Sequence, residues 1–96
     1  GEMVCLVKPQ FEAGKDKVGK KGVVRDANVH LAVLEQFLRH AAENDLTVQG
    51  MTYSPIKGPE GNIEYLGWLT AAAGENHVPD LHTLVETSHK ELERVT

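Results

Sequence analysis

Met3-Val4-Cys5-Leu6-Val7 sets five apolar side chains in succession, and Lys8-Pro9 stops the run. Neighbouring side chains of a strand point to opposite faces, so an unbroken apolar run suits a sheet covered on both sides. The predicted strand, Glu2 to Lys8, is therefore expected in the middle of a layered α/β sheet, not at its edge. A chain that opens inside such a strand reads as part of something longer. The run is too short to span a bilayer, and no signal-peptide pattern precedes it, so membrane insertion is not expected. Cys5 is the single cysteine of 96 residues. It cannot form an internal disulfide, suits a reducing cytoplasm, and reads as an inert core thiol. His30, His40, His77, His82 and His89 lack zinc-type spacing. They read as surface or helix-face residues, and no metal is expected.

The apolar period changes after residue 25. Val29, Val33, Phe37 and Ala41 form one row with Leu34 and Leu38 beside it, while Glu35, Arg39 and Glu43 take the other side. This predicts an amphipathic helix capped by Asp26 or Asn28 and ended at Asn44-Asp45. Leu46 to Tyr53 reads as a second strand, with Gly50 at the place of a bulge. Ser54 to Gly61, with two prolines and two glycines, predicts a stiff irregular connection. A third strand follows from Asn62 to Thr70, with Ile63, Tyr65 and Leu69 on one face and Glu64, Leu66 and Trp68 on the other. Tyr65, Trp68 and Phe37 are expected in the core. A last helix starts at Pro79-Asp80 and carries Leu81, Leu84, Val85, Leu92 and Val95.

The order is strand, helix, strand, strand, helix, an α/β pattern whose first crossover favours parallel strands. The third strand can extend the sheet or lie antiparallel between the first two. The inserted arrangement would bring Glu64 beside Lys8. In open α/β sheets ligands gather at the carboxyl ends of strands, where Lys8 stands. A carboxylate on a covered face needs a partner, and Glu64 alternates in phase with Leu66 and Trp68. Together they form a candidate functional pair. The alternative is a lysine that reaches solvent and a glutamate exposed at a strand end.

Charge is segregated along the chain. The net charge is −4, which is no footprint for nucleic acid taken whole. Yet residues 8 to 25 hold Lys8, Lys15, Lys17, Lys20, Lys21 and Arg25 against only Glu12 and Asp16. The segment from Gln10 to Arg25 reads as a long loop. Lys15, Lys17, Lys20, Lys21 and Arg25 are candidate RNA-phosphate contacts, each neutralised phosphate releasing counterions. A solvated loop that touches nothing is the alternative. Gly58 and Gly61 make neither a dinucleotide fingerprint nor a P-loop.

Three segments in this order resemble a known family: Lys8-Pro9-Gln10-Phe11-Glu12, Gly22-Val23-Val24-Arg25-Asp26, and Ser54-Pro55-Ile56-Lys57-Gly58-Pro59-Glu60-Gly61-Asn62-Ile63-Glu64. They look like the C-terminal half of the TlyA family, often labelled hemolysin-like and similar to FtsJ-type RNA ribose 2'-O-methyltransferases. The resemblance covers Glu2 to about Leu69. It implies a Rossmann-like S-adenosylmethionine-dependent methyltransferase fold whose last strand is antiparallel and inserted between the two before it. Residues 1–72 then form the C-terminal half of the catalytic domain, and 73–96 a helix packing on it. The family uses a Lys-Asp-Lys-Glu tetrad, in which Lys8 matches the second lysine and Glu64 the glutamate. The first lysine, the aspartate, the glycine-rich cofactor loop and a small RNA-binding domain have no counterpart in this sequence.

The implied substrate is ribosomal RNA, the implied cofactor S-adenosylmethionine. A ribose 2'-hydroxyl is a poor nucleophile and must lose its proton as it attacks the sulfonium methyl. A lysine desolvated among apolar walls can accept that proton, or, kept charged, can stabilise the developing alkoxide. This stretch alone is expected neither to bind the cofactor nor to methylate, and to self-associate through its exposed sheet edge. Two other readings stand beside the enzyme: a non-catalytic module that binds RNA or a partner through the basic loop, and a membrane-active hemolysin. The last has neither a spanning segment nor a strongly basic amphipathic helix behind it.

Overall fold

Three strands and three α-helices, with a 3-10 turn at Pro59–Gly61, are formed by the described residues of a computed structural model, 1–14, 16, 18–19 and 22–93. They are β1 (Glu2–Val7), α1 (Pro9–Glu12), α2 (Ala27–Glu43), β2 (Thr47–Tyr53), β3 (Tyr65–Thr70) and α3 (Leu81–Glu93). The candidate phosphate contacts Lys15, Lys17, Lys20 and Lys21, and the helix residue Val95, lie outside the described residues.

The three strands form one sheet in the order β1-β3-β2. β3 is antiparallel to both neighbours, pairing Glu2↔Thr70 through Val7↔Tyr65 on one side and Thr47↔Thr70 through Tyr53↔Tyr65 on the other. β1 and β2 therefore run parallel to each other. The β2 ladder shifts between Val48 and Gly50, the bulge expected at that glycine.

Both long helices pack on the sheet face that carries Tyr65, Gly67 and Leu69. Val7, Val33, Leu34, Ile63, Tyr65, Leu84 and Val85 make the main core, and Ala41, Val48 and Leu69 a second cluster. Phe37 of α2 packs against both clusters and seats its ring on Gly67, where a Cβ would lie 2.5 Å from Cζ. Gly67 thus flattens the central strand where α2 crosses it. Asp26 caps α2, its carboxylate accepting the Asn28 N–H at 2.8 Å. The helix ends at Asn44, and Asp45 turns the chain with φ +56° while the Leu46 N–H reaches back to the Ala41 carbonyl.

The opposite face is open, and this corrects two expectations. β1 is an edge strand here, with Val4 70% exposed and Leu6 48%, because β3 is its single ladder partner among the described residues and the helices cover the other face. Trp68, expected in the core, points to the same open face and is 46% exposed. Cys5 is only half-buried. The outer edge of β2 is covered instead: Val48 accepts from His77 N–H at 2.7 Å and donates to Asn76 Oδ1 at 2.8 Å.

Three further expectations change. The segment after β1 is not loop throughout, since Pro9 starts the helical turn α1, with Lys8 at its N-cap. Proline suits the first helical position because its missing N–H has no partner there anyway. β3 begins at Tyr65, so 62–64 precede the ladder. His30 is fully buried rather than on the surface. Its Nε2 lies 3.0 Å from the Val24 carbonyl and its Nδ1 2.7 Å from Nε2 of the half-buried His89. Because a carbonyl only accepts, His30 Nε2 carries a proton, and one more proton is shared between the two rings. Beside them the Tyr65 hydroxyl meets Ser88 Oγ at 2.7 Å, and Ser88 donates to the Val85 carbonyl. Tyr65 is therefore the donor to Ser88. These polar contacts tie β3, α2, α3 and the loop before α2 into one buried network.

Asn62 is the other buried anchor. Its Oδ1 accepts the Val24 N–H and its Nδ2 donates to the Gly22 carbonyl, both at 2.9 Å. The end of the basic loop is thereby fastened to the chain just before β3. Replacing Asn62 with Ala strands the buried Val24 N–H, and a cost of roughly 1–3 kcal/mol is expected. Hydrogen exchange at the Val24 amide should accelerate accordingly. Gly67→Ala drives a methyl group into the Phe37 ring; a loss of roughly 1–3 kcal/mol is expected, read from the urea midpoint.

Candidate active site

Strand pairing brings the two singled-out residues to one end of the sheet. Lys8 follows Val7 and Glu64 precedes Tyr65, and Val7↔Tyr65 is the last pair of the β1–β3 ladder. The inserted strand is what makes this possible, because only an antiparallel neighbour starts where β1 ends. Among the described residues, however, no ion pair joins the two. Their side chains have separate partners.

Glu64 is 6% exposed, in contrast to Trp68, with which it alternates in phase. Two segments cover it. Gly58 from the Pro/Gly-rich connection lies so close that a Cβ there would collide with the carboxylate. Gln10 from α1 donates its Nε2–H to Glu64 Oε2 at 2.8 Å. A hydrogen bond to a carboxylate is stronger than a neutral one, and it offsets part of the cost of burying the charge. The Glu64 carbonyl in turn accepts from Ser54 N–H at 2.8 Å, and the Gly58 N–H donates to the Asn62 carbonyl at 2.7 Å. The connection therefore folds back over the start of β3. Its tight end uses left-handed backbone at Glu60 (φ +58°) and Gly61 (φ +90°).

Lys8 is half-buried at the strand end. Its ammonium lies 5.9 Å from the centroid of the Phe11 ring, within reach of a cation–π attraction. Phe11 is itself 74% exposed and Ile56, in the neighbouring connection, 76%. A cation over an exposed aromatic ring thus stands at the strand end that carries the Glu64–Gln10 pair. Arg25 is exposed at the far end of the basic loop, just ahead of the α2 cap. It is the one phosphate-contact candidate among the described residues.

Gln10, Gly58 and Asn62 were not singled out by charge or periodicity. Gln10 read as the start of a loop, and no pattern marks a glutamine as the partner of a carboxylate 54 residues away. The clue to Gly58 was a glycine between prolines in a stiff connection, but what it must avoid is visible only in space. Among the described residues no group of His, Cys, Asp and Glu could hold a metal ion. No helix among them is long and apolar enough to cross a membrane.

Residues 2–71 match the model of the family described as "FtsJ-like methyltransferase". The chain is 41% identical over 96 residues to "Putative rRNA methyltransferase YqxC" of Bacillus subtilis, covering 95% of the chain and 34% of that protein. Over 68 residues it is 44% identical to "16S/23S rRNA (cytidine-2'-O)-methyltransferase TlyA" of Mycobacterium tuberculosis, covering 71% of the chain and 25% of that protein. Among solved structures, "Putative hemolysin from Streptococcus thermophilus" superposes with a TM-score of 0.88 at 41% identity, covering 98% of the chain and 34% of that one. The chain thus spans about a quarter to a third of the length of these relatives. The matched span contains β1, the three motif segments and all of β3, and the chain belongs to the FtsJ-like methyltransferase family.

Proposed function

We propose that this chain is the proton-handling end of an S-adenosylmethionine-dependent ribosomal RNA ribose 2'-O-methyltransferase. The observation that carries the reading is the juxtaposition of Lys8 and the buried Glu64 at one sheet end, in a chain of a methyltransferase family with relatives named as rRNA methyltransferases. In this reading the three strands close one side of a larger Rossmann-like sheet, and the rest of the parent protein supplies the other tetrad residues. When bound, S-adenosylmethionine supplies a sulfonium methyl, which leaves sulfur as the ribose oxygen bonds to it.

The chain's own groups act on the substrate hydroxyl. Lys8 takes the 2'-hydroxyl proton or, kept charged, holds the developing alkoxide. Glu64 anchors that end of the site electrostatically and is itself held by Gln10 and Gly58. The exposed Phe11 and Ile56 offer apolar contact to an unstacked nucleotide, as single-stranded RNA recognition commonly uses. The basic loop tracks the phosphates.

In the full-length protein, Lys8→Ala and Glu64→Ala should each lower methyl transfer to ribosomal RNA by roughly a hundredfold or more, the scale of a lost acid–base group. Wild-type rates in both variants would end the proposal. Neutralising Lys17, Lys20 and Lys21 together should weaken RNA binding at low salt and reduce the slope of log affinity against log salt by about three units at most. Cofactor affinity should stay unchanged. A triple variant with the same affinity and the same slope would identify the loop as merely solvated.

A further inference from the structure

Gln10 has one polar atom too many for its surroundings. A carboxylate accepts hydrogen bonds, so the amide must present its N–H to Glu64 and turn its oxygen away. Among the described residues, that oxygen, Oε1, is buried and has no hydrogen-bond partner. Buried acceptors are nearly always satisfied, and one left without a donor is costly. The orphaned atom belongs to the side chain that already holds the buried carboxylate of the site. It marks the place where a donor is to arrive.

Lys8 is the candidate donor, once its amine swings off its present contact. The lysine stands two residues before Gln10, at the N-cap of the same helical turn, and offers up to three N–H groups. Its present contact is the face of Phe11, a ring that is 74% exposed. Cation–π attraction at an exposed ring is weak, so the amine leaves it at little cost. We propose that Gln10 is the positioning residue of this site: its amide N–H fixes Glu64, and its orphaned carbonyl receives the Lys8 amine when RNA occupies the strand end.

The proposal rests on the methyl-transfer reading above and resolves a conflict within it. A lysine that removes a proton must spend part of the cycle uncharged, yet direct pairing with a glutamate favours the ammonium form. A neutral amide placed between them orients the amine through a hydrogen bond without bringing a full negative charge against it. The carboxylate stays one side chain behind, holding the amide. In the step itself the 2'-hydroxyl proton passes to the Lys8 lone pair as the ribose oxygen bonds to the methyl carbon. The S–CH3 bond breaks with its electron pair on sulfur.

The test uses the full-length protein with ribosomal RNA and S-adenosylmethionine, with rates followed against pH. Gln10→Met keeps the length and removes both hydrogen bonds. It should lower kcat roughly ten- to hundredfold with little change in KM for RNA. Gln10→Glu is nearly isosteric but sets a carboxylate where the amine docks. It should move the rising limb of the pH–rate profile upward by about one unit or more, with activity returning at high pH. A purely structural role would scale the rate at every pH and leave the limb in place. Lys8→Met and Glu64→Gln run alongside. If both are inactive while Gln10→Glu keeps an unshifted limb, the role of Gln10 is overturned and the methyl-transfer reading stands. If both keep wild-type rates, the two fall together. Should Gln10→Met fail to fold, judged by circular dichroism, the profile of Gln10→Glu decides alone.

Discussion

The insertion of β3 between β1 and β2 is the constraint on which the rest of the chain depends. β3 is the one strand paired on both sides, and its register sets which side chains meet. Side chains alternate with a period of two, so a slip of one residue would turn Tyr65 and Leu69 away from the helices and bury Trp68 in their place. Gly67 adds a second restriction, because the Phe37 ring occupies the space of its missing Cβ. A correct register therefore seats α2, places the Tyr65 hydroxyl on Ser88, and sets Glu64 across from the end of β1. The core and the candidate site share one cause.

The same register explains why the site is asymmetric. The sheet end that carries Lys8 and Glu64 is covered by a helical turn and a folded connection, whereas the middle of that face is open at Val4, Leu6 and Trp68. Exposed apolar patches on a sheet face usually mark a surface that meets other protein. The relatives are about three times as long as this chain, and the proposed larger sheet would use this face and the outer edge of β1. Glu64 needs no such help, because Gln10 and Gly58 enclose it from within the chain.

Buried polar groups divide the molecule into two working parts. One is the His30–His89 pair with Tyr65 and Ser88, which locks α2 and α3 to β3. The partners seen among the described residues are internal, so it acts as a structural clasp. The other is Glu64 with Gln10, where one acceptor stays without a donor. Asn62 stands between them: it holds Val24, whose carbonyl receives His30, and it lies two residues before Glu64. The basic loop's end, the helix clasp and the carboxylate are thus joined over a few residues.

Much of the architecture was legible in the sequence, because periodicity and local turn chemistry are properties of adjacent residues. The alternating run of β3, the helical row from Val29 to Ala41, the Asp26 cap and the bulge at Gly50 all follow from short-range rules. The motif segments carried the family, and with it the expectation of an inserted last strand. What adjacency could not supply was coverage and partnership. Whether β1 is central or at an edge depends on strands that pair with it, and its apolar pattern is the same in either place. His30 looked like a surface or helix-face residue; its burial was not legible because its partners, His89 and the Val24 carbonyl, come from other elements. Lys8 and Glu64 were singled out by type and placed together by topology. Only the packed structure put Gln10 on the carboxylate and Lys8 on Phe11, because the choice between two hydrogen-bond partners is made by distance, and distance between remote residues is set by the tertiary fold.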